Sequence, residues 1–454
     1  MAYAMMFIEW FSVQRGDGSL QSQDKLVITG GRPLHGIVSV SGAKNSVLKL
    51  MGAALLTEHP VELHNVPHLT DVMVMTDVLR HLGAKIDHQG DVMIINAKNI
   101  NTTEASYELV SKMRASFIVL GALLGRFNEA RVSLPGGCSI GKRGVDLHIK
   151  GLQSLGAEIQ INQGYAEATA SLLTGKEILL DTPSVGATEN IMLAAVFANG
   201  ATVISNAAQE PEITDLANFL NALGADVSGA GTNEIIINGV SKKDLGGTTY
   251  AVVPDRIEAA TYMIAAAGTG GNVLLENVIP GHLNSVIRKL EDVGAEIITE
   301  GPNSLRVIGC DKLEAQNIVT QPYPGFPTDV QAPFMSLLTI ADGVSIITET
   351  LYENRFKQVG ELNRMGANIQ LQGDIVVVTG VDELTGTQVK ASDLRAGAAL
   401  VIAGLQAQGV TEISELQYID RGYEDLVGKL SGLEADIVRV SGESQPAEAS
   451  VPAS

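Results

Sequence analysis

The chain has 454 residues, 45% hydrophobic and 18% charged, and 51 acidic against 31 basic side chains leave a formal net charge of −20 at pH 7. Such an acidic surface argues against nucleic acid or an anionic membrane as partner, because both need a broad basic face to displace counterions, so an anionic ligand must be held by a local cationic cluster. The two cysteines, Cys138 and Cys310, are too few for a disulfide framework and lack a metal-ligand spacing, so a reducing, cytoplasmic setting is expected.

The length suits two to four globular units. Residues 1–24 contain a short apolar patch, Met5 to Phe11, interrupted by Glu9 and not preceded by basic residues; they read as an N-terminal extension rather than a signal peptide. Apolar runs such as 117–125 stop well short of the ~18 residues that a membrane helix requires. From there a phrase recurs in which a helix-like segment ends in Gly-Ala and a strand begins. It reads LRHLGAKI, LQSLGAEI, LNALGADV, LEDVGAEI and LNRMGANI, with Gly83, Gly156, Gly224, Gly294 and Gly366 as landmarks, and a sixth copy, LSGLEADI, carries Glu434 in the glycine's place. Successive landmarks lie 68 to 73 residues apart.

Each unit also contains an alanine-rich apolar segment of helical length, such as RIEAATYMIAAA or LRAGAALVIAGLQ, that leads into a β-branched run such as ATVISNA. The order implied is βαβαββ. Six units of this size are supersecondary blocks rather than short solenoid repeats, and the arrangement expected is two α/β lobes of three blocks each. The apolar helices belong at the centre of a lobe and the more charged second helices outside it. Glycine at the end of the second helix suits a left-handed C-cap. The tail, residues 441–454, is small and polar and reads as disordered.

Aligned by this period, the central helices open on Lys44, Arg114, Thr188, Arg256, Asp329 and Arg395. A cation at a helix N-terminus is disfavoured unless an anion is also bound there, so four such openings point to an anionic ligand. In the second unit the loop LPGGCSIGKRGVDLH is rich in glycine, and Cys138 within it lies close to Lys142 and Arg143, where a thiol becomes reactive. Cys310, at a strand end, reads as an inert buried residue. Asp329 could act in the site or simply cap its helix. At the loop position matching Cys138, the fifth and sixth units carry Glu353-Asn354-Arg355 and Asp420-Arg421-Gly422-Tyr423, in which the arginine either pairs internally or clamps phosphate. Nothing matches a Walker A or dinucleotide fingerprint.

The motifs SGAKN (41–45), MRAS (113–116), PGGCSIG (135–141), SVGAT (184–188), FPTD (326–329), ENRF (353–356), DLRA (393–396) and IDRGYE (419–424) together closely resemble the enolpyruvyl transferase family, and within it the UDP-N-acetylglucosamine 1-carboxyvinyltransferases of peptidoglycan precursor synthesis. The resemblance runs from about residue 25 to 440. It implies two inside-out α/β barrels of three βαβαββ repeats each, one over 44–252 with the Cys138 loop, the other over 25–43 plus 253–440. It also implies transfer of the enolpyruvyl group of phosphoenolpyruvate to the 3′-hydroxyl of UDP-N-acetylglucosamine, through a tetrahedral phosphate-bearing ketal, with no metal or organic cofactor.

By the same resemblance Cys138 is the general acid and Asp329 takes the sugar hydroxyl proton, while Lys44, Asn45, Arg143 and Arg421 surround phosphoenolpyruvate. Arg114, the run Arg143, Gly144, Val145, Asp146 and Leu147, the run Thr182, Pro183, Ser184 and Val185, Asp329 and Leu351 line the sugar-nucleotide site, with Arg395 and Glu353 in support. Gly144, Thr182 and Gln209 stand where family members commonly have Pro, Lys and Arg. A 3-phosphoshikimate carboxyvinyltransferase would lack the cysteine loop, and a non-catalytic UDP-sugar-binding paralogue would not need every chemical position filled. A homo-oligomer is compatible with the sequence, which does not determine the oligomeric state.

Overall fold

The computed structural model describes residues 24–135 and 144–441. The expectations for the N-terminal extension, for nearly all of the tail, and for Cys138, Lys142 and Arg143 lie outside the described residues.

Among the described residues, six four-stranded sheets share one strand order. In the second unit, Glu104–Ala105 pairs in parallel with Glu129–Ser133, which pairs antiparallel with Tyr165–Thr169, itself antiparallel to Glu158–Asn162. The parallel pair needs a crossover, which the apolar helix supplies, whereas the last two strands close as a hairpin through Gly164 at φ +80°. This is the βαβαββ order expected. Three sheets are completed by distant segments. Thr248–Ala251 lies beside Val61–His64, Lys25–Thr29 lies between Val410–Ser414 and Asp436–Val440, and His35–Ser39 lies beside Asn272–Glu276.

The buried side chains form two hydrophobic cores. One runs from Ala43 to Val252, and the other joins Leu26 to Val40 with Ile257 to Ile437. At the centre of the first stand the helices Lys44–Ala53, Val119–Phe127 and Val185–Ala195; at the centre of the second stand Arg256–Gly268, Thr328–Leu338 and Leu394–Gln406. These helices are apolar on nearly every face because sheets or other helices surround them. Val185–Ala195, for example, is continuously buried from Ala187 onward. Thr188, expected at a helix opening, lies one turn inside and is fully buried, its hydroxyl accepting from the Ala208 N–H at 3.2 Å. Cys310, expected to be buried, is only partly so, with Sγ 3.1 Å from the Lys312 carbonyl.

The chain crosses between the cores twice, at 41–43 and 252–255, and these strands of linker bond to each other: Ala43 N–H donates to Val253 O at 2.7 Å and Asp255 N–H to Ser41 O at 2.9 Å. Gly42 is required in this crossing, since a Cβ there would lie 1.8 Å from the Asn65 carbonyl oxygen.

The five landmark glycines follow the outer helices with φ between +96° and +110°, and Glu434 takes the left-handed conformation at φ +67° in the sixth unit. A side chain in this region costs roughly 1–2 kcal/mol relative to glycine. Glu434→Gly should therefore stabilise the protein by about 1 kcal/mol after allowing for the greater freedom of glycine in the unfolded chain, which urea unfolding will measure. In the first core, the Lys49 ammonium and the Glu189 carboxylate form a buried pair at 2.8 Å. Burial pushes the Glu189 carboxyl up to about 7 against the pull of Lys49. The folded chain thus holds a proton that the unfolded chain has released, so this contribution to stability is present at acid pH and lost as pH rises through about 7. Glu189→Gln should flatten the fall in unfolding free energy between about pH 5 and 7.5; equal slopes in variant and parent would refute the assignment.

Candidate active site

The site forms where helix openings from both cores meet. Asp255 precedes Arg256–Gly268 and caps it, Oδ1 accepting from the N–H groups of Ile257 and Glu258 at 2.8 and 3.1 Å. Its other oxygen, Oδ2, accepts from the Lys44 N–H at 3.0 Å, at the start of the first core's central helix, which has no side-chain cap of its own. One carboxylate therefore neutralises two helix N-termini, one from each core, and pins Lys44 at the junction.

The Lys44 ammonium, buried, meets Asp71 Oδ2 at 2.7 Å. Asp71 sits in the first turn of Thr70–Leu82 and is buried too; its Oδ1 accepts from Arg421 Nε at 2.9 Å, and Arg421 Nη2 reaches Oδ2 at 3.4 Å. Arg421 belongs to the second core's loop, and the two segments meet again where His68 N–H donates to Glu424 Oε1 at 2.7 Å and Thr70 N–H to Asp420 O at 3.3 Å. Burial pushes the Lys44 ammonium down; Asp71 pulls it up, Arg395 and Arg421 push it down again, and the net direction is downward.

Asp329, in the first turn of Thr328–Leu338, does not cap its helix; Pro327 occupies that position. Its carboxylate is instead held by Arg355 and by Arg395, whose Nη2 lies 3.0 Å from Oδ2. Burial alone would raise this carboxyl, but Arg395, Arg355 and, more weakly, Lys44 hold it far below the usual carboxylate range. Arg395 follows Asp393, which caps Leu394–Gln406 through the Arg395 and Ala396 N–H groups at 3.0 Å each. Arg395 Nη1 also donates to Tyr423 OH at 3.2 Å, and that hydroxyl bonds Thr261 Oγ1 at 2.9 Å. Arg355 thus pairs with Asp329 rather than with its neighbour Glu353. Arg421 pairs with Asp71, and adjacent Asp420 pairs with Arg439 at 2.9 Å. Arg256 is turned aside by a buried bidentate pair with Glu212, at 3.1 to 3.3 Å.

A second group of expected residues lines the first core's edge. Arg114 opens the 3-10 turn Arg114–Ile118, and its Nη2 donates to Gly144 O at 2.9 Å, tying the turn to the segment that leads into Asp146–Ser154. Val145 and Leu147 pack on the first core, while Asp146 is exposed. His148 Nδ1 lies 3.0 Å from Asn190 Nδ2, and Gly186 packs against the His148 ring, so this helix abuts the opening of Val185–Ala195. Ser184 caps that opening through the Ala187 N–H at 3.4 Å; Thr182 and Pro183 before it are exposed and Val185 is half-buried. Asn45 is half-buried beside Lys44. On the far side Leu351 N–H donates to Glu349 Oε1 at 2.9 Å, with Glu353 exposed on the same loop.

Asp71, Asp255 and Glu349 escaped the sequence reading. Each is an acid at a helix start or strand end, a position that by itself signals only an ordinary local cap. What distinguishes Asp71 and Asp255 is a partner far along the chain, while Glu349 bonds Thr320 and Thr328.

The family model described as EPSP synthase (3-phosphoshikimate 1-carboxyvinyltransferase) matches residues 28–430. UDP-N-acetylglucosamine 1-carboxyvinyltransferase 1 of Caldanaerobacter subterraneus subsp. tengcongensis is 56% identical over 91% of this chain and 99% of its own. UDP-N-acetylglucosamine 1-carboxyvinyltransferase 2 of Carboxydothermus hydrogenoformans is 55% identical over 92% and 100%. Among solved structures, the enolpyruvyl transferase NikO from Streptomyces tendae is similar at 26% identity and a TM-score of 0.84, covering 93% of this chain and 100% of that one. The fold expected, two α/β units of three βαβαββ repeats, is that of these proteins, and the chain belongs to the enolpyruvyl transferase family.

Proposed function

We propose that this chain transfers the enolpyruvyl group of phosphoenolpyruvate to the 3′-hydroxyl of UDP-N-acetylglucosamine and releases phosphate. The observation that carries the reading is the convergence of Lys44 from one core with Arg395 and Arg421 from the other around two carboxylates, in a chain whose relatives at 55–56% identity bear that activity's name. Division into two domains with linkers at 41–43 and 252–255 supports a reading in which the acceptor and the donor bind between them. Helix openings at 114, 144–147 and 182–185 suit the uridine diphosphate portion, where backbone N–H groups and Arg114 face anionic oxygens.

In the addition, the sugar oxygen bonds C2 of phosphoenolpyruvate while the C3 methylene receives a proton. Cys138 is the proposed donor, on the PGGCSIG motif. The tetrahedral ketal then collapses: C3 loses a proton to the Cys138 thiolate left by the addition, the C2–O bond to phosphate breaks, and the enolpyruvyl ether and phosphate leave. Lys44, Arg395 and Arg421 oppose the substrate's carboxylate and phosphate charge, fixed in place before the reaction and so without reorganisation. Asp329, proposed to receive the sugar proton, is ionised but a weak base while two guanidiniums hold it. Its basicity rises when the arriving substrate anion offsets the charge of those guanidiniums, which links proton acceptance to substrate occupancy.

Phosphate release should require phosphoenolpyruvate together with UDP-N-acetylglucosamine, in a coupled phosphate assay. Equal release with shikimate 3-phosphate as acceptor would shift the reading to the other branch of the family, and release with neither would end it. An epoxide-phosphonate such as fosfomycin should alkylate Cys138 and leave Cys310 unmodified, read by peptide mass spectrometry. Cys138→Asp should lose alkylation while keeping turnover, because a carboxylic acid also donates a proton.

A further inference from the structure

We propose that Asp71 is a positioning residue whose single buried carboxylate joins Lys44 of one core to Arg421 of the other, and so holds both cations ready for the phosphoenolpyruvate anion. The inference rests on the proposed function and adds a residue to it. Asp71 lies in no motif that carries the family resemblance.

Three observations support it. First, one carboxylate bridges the two cations: Lys44 Nζ meets Oδ2 at 2.7 Å, while Arg421 Nε meets Oδ1 at 2.9 Å and its Nη2 reaches Oδ2 at 3.4 Å, and the two cations come from different cores. Second, the charges do not cancel. Lys44, Arg355, Arg395 and Arg421 pair with Asp71 and Asp329, and Asp255, which accepts from the Lys44 N–H and attracts Arg395, is the third carboxylate at the junction, which leaves one positive charge in surplus for a ligand that carries carboxylate and phosphate. Third, the Asp71 turn is docked at three points on the loop of Arg421, through His68, Thr70 and Asp71 itself, so the geometry of the cation pair and the approach of the two cores are one variable.

An ion pair that only stabilised the fold would not need the surplus cation. The groups facing Lys44 are Asp71 from the outer helix, Arg421 from the loop, and Arg395 and Asp329 from the second core's central helices. Among these, Asp71 is the carboxylate within bonding distance of the ammonium and favours its charged form against burial and two neighbouring guanidiniums. Loss of that charge leaves Lys44 more easily deprotonated, so alkaline inactivation begins at lower pH.

The test uses the full chain, with phosphate release measured at saturating UDP-N-acetylglucosamine, varied phosphoenolpyruvate, and about pH 6 to 10. Asp71→Asn should raise KM for phosphoenolpyruvate about tenfold and move the alkaline limb of kcat/KM down by about one pH unit or more, since one unit of pKa corresponds to a tenfold change in ionisation equilibrium. Asp71→Glu should keep the limb where it is. KM for UDP-N-acetylglucosamine should change far less. An unshifted limb with an unchanged KM for phosphoenolpyruvate in a folded Asp71→Asn protein overturns the inference, and Asp71→Ser is judged by the same criteria should the asparagine variant not fold. Absence of phosphate release in the unsubstituted chain overturns the functional reading instead, so the two failures are distinguishable.

Discussion

Mutual repulsion among Lys44, Arg355, Arg395 and Arg421 is the constraint around which the junction of the two cores is built. Three of these four side chains are almost wholly removed from water, where like charges are costly, and they stay together because Asp71 and Asp329 are interleaved among them. The surplus positive charge that remains is not a defect of packing. It is a standing demand for an anion, met locally in a chain whose overall charge is strongly negative.

The repeat explains how those cations arrive at one place. Polar residues open the central helices at one repeat position, and three of them, Lys44, Asp329 and Arg395, become neighbours in space. Helix N-termini gathered this way favour anions, and Asp255 answers two of them at once. Arg256 shows the limit of the pattern. It occupies the same repeat position as Lys44 and Arg395, yet Glu212 takes up its charge in a buried bidentate pair, which removes it from the ligand-facing set.

The crossing of the chain between the cores is closely coupled to the site. The linker residues Ser41 and Asp255 bond each other, Asp255 caps the helix of Lys44, and Ser41 N–H donates to Glu258 Oε2 at 2.7 Å, whose other oxygen meets Lys429 at 2.6 Å. Burial pushes the Glu258 carboxyl up to about 7 against the pull of Lys429. A change in the relative placement of the cores therefore strains the bonds that orient Lys44, and the substrate binding proposed at Lys44 and Arg421 would bear on the crossing in return.

Much of the fold was legible in the sequence because it is periodic. The Gly-Ala landmarks, the alanine-rich helices and the β-branched runs each report a local preference, and repetition six times over raises them above chance; even Glu434 keeps the left-handed turn that its five counterparts fill with glycine. Lys44, Arg395 and Asp329 were legible for the same reason, as polar residues at the mouths of apolar helices. Asp71, Asp255 and Glu349 were not, since an acid at a helix start or strand end carries no mark of the partner it will find. Arg421 and Asp71 are 350 positions apart, at nearly the same repeat position of the sixth and first units, yet the repeat does not say that the two will bond. Sequence alone determined the six-fold repeat, the class of fold and the helix openings that bear charge, because those follow from short-range propensity and hydrophobic spacing. Only the tertiary structure decided which carboxylate balances which cation, because that pairing depends on how two separately built cores meet.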